Sequence, residues 1–273
     1  MTVHRFATAI IFLVLFVISI YISWLRFLFH ILVILGGTVA AYEFFSMAKR
    51  KGYKPDSFIG IVATLLIIYV GATRGLSHLV AIISVLIMLS FTMQIVRPGF
   101  ENAFSNVAVN VLGPLYIGIP IAMLYWFLRF PEGPAILIFL FLVTWQSDVG
   151  GYFGGKFFGR HKMSPQLSPN KTVEGGICGF IWTILSAFIL VRIWPGMREV
   201  FHSDYDVFMI SLLFATIGQI GDLAESSLKR DVGVKDSGTT YTGHGGMLDI
   251  IDSLLFCTPI LYIYLRYRGI HLG

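Results

Sequence analysis

Residues Gly218–Asp252 read GQIGDLAESSLKRDVGVKDSGTTYTGHGGMLDIID. Apolar runs flank this polar stretch, Val207–Ile217 before it and Ile250–Leu265 after it. It holds six of the fifteen carboxylates (Asp222, Glu225, Asp231, Asp236, Asp249 and Asp252), together with Lys229, Arg230, Lys235 and His244. Carboxylates at the ends of apolar runs are costly to place in a bilayer and mark a functional site by default.

The flanking runs set the fold class, and the rest of the chain agrees with them. The 273 residues are 56% hydrophobic and 13% charged, whereas soluble domains carry about 25% charged residues. Mean hydropathy is +0.79. The expectation is an all-α integral membrane protein, a polytopic bundle forming one membrane domain. A spanning helix needs about 20 mostly apolar residues. Nine stretches qualify: Ala7–Trp24, Phe27–Ala48, Phe58–Val70, Leu76–Val96, Val107–Leu128, Pro134–Ser147, Gly175–Trp194, Val207–Leu223 and Asp249–Leu265. The third and sixth are short. Residues 1–130 form a hydrophobic helical part, and 131–273 a catalytic part with polar loops at 148–174 and 224–248. Cys178 and Cys257 lie in apolar runs without metal-type spacing and read as small buried hydrophobes.

Lysine and arginine placement sets the expected orientation. With the N-terminus inside, the inner segments hold thirteen: Arg5, Lys49, Arg50, Lys51, Lys54, Arg97, Lys156, Arg160, Lys162, Lys171, Lys229, Arg230 and Lys235. The outer segments hold seven: Arg26, Arg74, Arg129, Arg192, Arg198, Arg266 and Arg268. The N-terminus and both polar loops are therefore expected in the cytoplasm and the C-terminus outside.

If the helix begun at Val207 continues to Arg230, then Asp222, Glu225, Ser226 and Lys229 fall at i, i+3, i+4 and i+7 on one face. Asp249, Asp252 and Ser253 repeat the i, i+3, i+4 spacing at the next helix start. Hard cations such as Mg²⁺ take oxygen ligands and keep waters and substrate phosphates for the rest of their shell. The interleaved Lys229, Arg230 and Lys235 suit a phosphate-rich ligand. Gly243-His244-Gly245-Gly246 leads into a helix start, where bare N–H groups favour anions. The simpler account, a polar loop whose acids and bases pair with each other, explains less of this clustering on single faces.

A second polar stretch begins at Trp145-Gln-Ser-Asp148 and continues through Gly-Lys156 to Arg160. Gly151, Gly155 and Gly159 recur every four residues beside Gly150 and Gly154, a pattern that lets helices approach closely. It fits packing within one chain and a homodimer equally. Asp148 closes an apolar run with Lys156 as its obvious local partner. In Ser168-Pro-Asn170-Lys171-Thr172-Val-Glu174, Asn170 is the expected N-cap of the next helix. Lys171-Thr172 at a helix start also suggests phosphate binding, although no glycine-rich Walker A loop precedes it. Glu43 stands alone inside the second apolar run and takes no role here.

The stretch Ser226-Ser-Leu-Lys229-Arg230, four residues, Lys235-Asp236, then His244-Gly245-Gly246-Met-Leu-Asp249-Ile250-Ile-Asp252 resembles the signature of the phosphatidate cytidylyltransferases. Asp148 to Glu174 resembles the same family, so the likeness covers the C-terminal half. Ile250 stands where the family pattern has arginine, and Tyr241-Thr242 where it has an aliphatic residue and proline. The resemblance implies transfer of a cytidylyl group from CTP to phosphatidic acid, giving CDP-diacylglycerol and pyrophosphate. It implies Mg²⁺, as two ions, on Asp222, Asp249 and Asp252, with Lys229 as a further catalytic group. Asp148, Lys156, Ser168, Asn170, Lys171, Thr172, Glu174, Glu225, Ser226, Arg230, Lys235, Asp236, His244, Gly245 and Gly246 would bind substrate. The implied partners are CTP, phosphatidic acid and a bilayer, with no nucleic acid. The implied location is a bacterial inner membrane with the active site facing the cytoplasm. A CTP-dependent polyprenol or dolichol kinase shares elements of the pattern, and a transporter with a charged cytoplasmic gate is the rival from another class.

Overall fold

Hydrocarbon offers the backbone no hydrogen-bond partners, so apolar runs of spanning length must close their own as helices. The computed structural model describes residues 14–97, 99–194, 196–238 and 245–268, and they follow that rule. Helical residues 14–21 (α1) and a 3-10 turn, Ser23–Leu25, precede α2 (Arg26–Arg50), α3 (Ser57–Arg74), α4 (Leu76–Val96), α5 (Ala103–Phe127) and α6 (Gly133–Phe158). A hairpin of β1 (Lys162–Ser164) and β2 (Ser168–Thr172) leads to α7 (Val173–Ile193), the short α8 (Met197–Val200), α9 (Asp204–Asp231) and α10 (Met247–Tyr267). Among the described residues, eight helices are long and apolar enough to cross a membrane. The first expected span, Ala7–Trp24, begins outside the described residues.

Three local expectations change. The sixth span is not short: α6 runs 26 residues, because the glycines from Gly150 to Gly155 stay helical instead of opening a loop at residue 148. The polar connection after it is a short antiparallel hairpin, with Lys162 opposite Thr172 and Ser164 opposite Ser168, inside an otherwise all-α protein. Thr172, not Asn170, caps α7: its Oγ1 accepts the Gly175 N–H at 3.1 Å, while Asn170 lies exposed on β2. An extended residue immediately before the helix is where a side-chain oxygen reaches the first free N–H groups.

The chain divides into two compact units, Met1–Met123 with Asp231–Ile250, and Leu124–Arg230 with Ile251–Gly273. This division interleaves the sequence and does not fall at residue 130. In the first unit α2, α3 and α5 meet through missing side chains. A Cβ on Gly37 would lie 2.9 Å from Ile68 and 3.2 Å from Ile121, and one on Gly60 would enter the Phe45 ring. The loop before α3 is tied down by polar groups. Asp56 accepts the Ile59 N–H at 3.1 Å, and Asn106 and Asn110 accept the backbone N–H groups of Lys54 and Asp56 at 2.7 and 2.9 Å. Lys51 donates to the Asp231 carboxylate at 2.8 Å and to its carbonyl at 3.0 Å, a bond that holds this lysine above the usual lysine range.

In the second unit α6 and α7 run backbone against backbone. A Cβ on Gly175 would stand 2.8 Å from the Gly151 carbonyl and 3.1 Å from the Gly155 Cα, and one on Gly179 would stand 2.7 Å from the Ser147 carbonyl. The glycine stripe of α6 is thus covered by α7 of the same chain. Phe139 on α6 packs on Phe201 at 4.3 Å between ring centres and on Phe214 of α9 at 5.7 Å.

These contacts rank the glycines. Gly175→Ala forces backbone apart and is expected to cost about 1–3 kcal/mol. In Gly151→Ala the new Cβ meets its nearest neighbour at 3.7 Å, so its cost is expected to stay under about 1 kcal/mol. Thermal unfolding in detergent checks the order; equal melting temperatures would contradict the close approach.

Candidate active site

Helix α9 stays helical through Asp231, so the four polar residues at i, i+3, i+4 and i+7 do share a face. In the second unit that face meets the hairpin. Lys171 lies inward on β2 and forms an ion pair with Asp222 of α9. One turn further along, Lys229 pairs with Glu225, which is 0% exposed. Ser226 Oγ lies 3.4 Å from the other Asp222 oxygen. Asp148 from α6 and Asp252 from α10 complete the group, and both carboxylates act on the Lys171 ammonium. Burial pulls that ammonium below the usual lysine range, and Asp148 and Asp252 oppose the pull. Ser253 Oγ donates to the Gly218 carbonyl at 2.9 Å, fixing α10 against α9 at the level of Asp252.

Four carboxylates (Asp148, Asp222, Glu225, Asp252) face two ammonium groups (Lys171, Lys229), a formal charge of −2. Buried charges are tolerated only when paired and hydrogen-bonded. Among the described residues, no three His, Cys, Asp or Glu side chains converge closely enough to hold a metal ion as they stand, since lysines part the carboxylates. The donor chemistry nevertheless fits a hard divalent cation: the group is all oxygen and lysine nitrogen, and its excess of two negative charges equals one such ion.

The first unit holds a different polar group. Asp249 Oδ2 accepts from Ser237 N–H at 2.9 Å, Ser237 Oγ at 2.8 Å and Gly246 N–H at 2.6 Å. Glu43, 2% exposed in α2, accepts from Met247 N–H at 3.0 Å on one oxygen and from Leu248 N–H at 2.9 Å on the other. The amides at the start of α10 are therefore engaged by carboxylates. Gly245-Gly246 serves this closure. Gly245 has φ of +85°, and a Cβ on it would stand 2.6 Å from Asp249; one on Gly246 would collide with Glu43 and Ser237.

The remaining expected residues are placed as follows. Glu174 accepts from Arg160 N–H at 2.9 Å, His161 N–H at 3.2 Å and His161 Nδ1 at 2.6 Å, which folds the turn between α6 and β1. Arg230 Nε donates to the Leu167 carbonyl at 2.9 Å across to the hairpin tip. Lys156, Asn170, Lys235 and Asp236 are exposed, and Ser168 is half-buried. His244, Tyr241 and Thr242 lie outside the described residues. Sequence reasoning passed over Glu43 and Ser237. The available signal was a carboxylate in the middle of an apolar helix; its partners stand about two hundred residues away, which no local pattern reveals.

Residues 3–268 match the model of the cytidylyltransferase family. A phosphatidate cytidylyltransferase of Bacillus subtilis is 32% identical over 272 residues, covering 96% of this chain and 97% of that protein. Proteins of the same name from Staphylococcus epidermidis and Staphylococcus haemolyticus are 33% identical over 213 residues and 37% identical over 187 residues. They cover 77% and 66% of this chain, and 80% and 68% of their own lengths. With a match that runs almost end to end and takes in both polar groups, the chain belongs to the cytidylyltransferase family.

Proposed function

We propose that the protein is a nucleotidyltransferase that moves a cytidylyl group from CTP to phosphatidic acid, forming CDP-diacylglycerol and pyrophosphate. The observation that carries this reading is the match to a phosphatidate cytidylyltransferase over 96% of the chain. It is supported by two lysines held by carboxylates on membrane helices.

In the reaction a phosphatidate oxygen attacks the α-phosphorus of CTP in line. One P–O bond forms, the bond to the β-phosphate breaks, and pyrophosphate leaves with its electron pair. The attacking oxygen is already anionic near neutral pH, so no general base is needed. Catalysis therefore rests on positioning and charge neutralisation. Lys171 and Lys229 are the groups to do this. Each is held by a carboxylate and can turn to a phosphate oxygen once nucleotide arrives. Arg230, whose Nε donates to the hairpin tip, is a further phosphate-binding group in this reading. Asp222 and Asp252, with Asp148 beside them, would hold Mg²⁺, which supplies Lewis-acid neutralisation of the α-phosphoryl and the departing pyrophosphate. Asp249 has a different first task in this reading, shaping the start of α10 through Oδ2.

The lysine and arginine asymmetry supports a cytoplasm-facing site, and the bacterial relatives support an inner membrane. A Lys235→Cys variant lacking Cys178 should label with an impermeant maleimide in inverted vesicles and stay unlabelled in intact spheroplasts. The reverse pattern would place the site outside.

Purified protein with phosphatidic acid, Mg²⁺ and CTP labelled at the α-phosphorus should yield labelled lipid, and EDTA should abolish it. Label passing to lipid from the γ-phosphorus instead would identify a kinase, and no lipid label from either position would refute both transfers. Lys229→Met strands the fully buried Glu225, so the charge-neutral pair Glu225→Gln/Lys229→Met is the better probe. It is expected to keep its melting temperature within a few degrees and to lose about 100-fold or more in turnover. Unchanged turnover would remove Lys229 from the chemistry.

A further inference from the structure

We infer that Glu43 is a positioning residue: from the middle of α2, its carboxylate holds the first turn of α10 and thereby sets the carboxylate face that this helix presents. Three independent features of the first unit support this. Both carboxylate oxygens are used, one on the Met247 N–H at 3.0 Å and one on the Leu248 N–H at 2.9 Å. The site is closed, with Glu43 2% exposed and Ser237 5% exposed. The surrounding chain has also been cleared of side chains to admit this group. A Cβ on Gly238 or Gly246 would run into the Glu43 carboxylate, and one on Gly36 of α2 would meet the Met247 side chain at 3.7 Å.

The chemistry is that of a helix cap supplied from a distant element. The first N–H groups of a helix have no intrahelical partner, and a negative charge beside them is favoured by the helix dipole. Usually a residue adjacent in sequence provides it; here the cap comes from 204 residues away for Met247 and 205 for Leu248. Ser237 links Glu43 to the first carboxylate of α10. Its Oγ lies 2.8 Å from Asp249 Oδ2 and 3.2 Å from Glu43 Oε2, so it is shared between the two carboxylates. Asp249 is in turn one helical turn from Asp252 on α10. Rotating or fraying the first turn would displace Asp249. A side effect follows for the nucleotide. With the Gly246, Met247 and Leu248 amides engaged, the triphosphate is left to side chains such as Lys171 and Lys229, not to this helix terminus.

Hydrogen–deuterium exchange of the full-length protein in detergent tests the anchor without any reference to turnover. In Glu43→Ala the peptide covering residues 245–252 should exchange at least about tenfold faster, with peptides of α6 and α7 unchanged. Glu43→Gln keeps one carbonyl oxygen and so one of the two bonds, and should fall between. The catalytic arm rests on the cytidylyl-transfer reading. There Glu43→Ala should lower kcat roughly 10- to 100-fold, the usual loss for a residue supporting a working side chain. The KM for CTP should move less than about threefold, because Glu43 is buried with both oxygens engaged by backbone amides, and Glu43→Gln should recover part of kcat. Unchanged exchange at 245–252 overturns the anchor whatever the turnover. Faster exchange throughout the protein, or local exchange with normal kcat, overturns the positioning role. Should Glu43→Ala fail to fold, the Gln variant decides alone by the same two readouts. A wild-type protein that protects 245–252 yet transfers no cytidylyl group would refute the proposed function while leaving the anchor standing.

Discussion

A lysine ammonium inside a membrane protein needs a carboxylate beside it, and that constraint shapes the site-bearing part of this chain. Lys171 is held by Asp222 and Lys229 by Glu225, on one face of one helix. Removing Lys229 would leave the Glu225 charge stranded away from water, which costs several kcal/mol in buried pairs. The pairs therefore fix where β2 sits against α9. In the proposed reaction the two cations would serve phosphate: its oxygens would take the place of the carboxylates, and the carboxylates so released would be the oxygen ligands that a divalent cation prefers. The same residues thus serve the stability of the empty protein and the chemistry proposed for it.

The framework carries this group by close backbone approach. Helices α6 and α7 touch along glycines because association inside a bilayer gains little from the hydrophobic effect and depends on contact. That contact fixes the two ends of the hairpin bearing Lys171. Glu174 and Thr172 then close the turns on either side by satisfying backbone N–H groups. The interactions are short-range, and each one positions a side chain of the next.

What was legible in the sequence follows from range. The face of Asp222, Glu225, Ser226 and Lys229 was readable because helical periodicity is local, and α9 obeys it. The glycine stripe was readable as a packing device for the same reason. The extent of α6 was not, since glycines that look like a loop remain helical once a partner helix covers them. The cap of α7 moved from Asn170 to Thr172 because the hairpin, formed with β1, sets which residue is last to be extended. Gly245-Gly246 read as an anion cradle, whereas the structure fills that space with two of the protein's own carboxylates. Glu43 was visible only as an anomaly in an apolar helix, and its meaning depends on residues almost the whole chain away.

In the proposed reaction Lys171 and Asp222 act as one unit in handling phosphate. A double-mutant cycle on kcat/KM for CTP, with Lys171→Met and Asp222→Asn, tests it most directly. Each single change should cost about 100-fold or more, and the double variant should be little worse than the poorer single, as for residues working together. Losses that simply multiply, or single variants close to wild type, would contradict it.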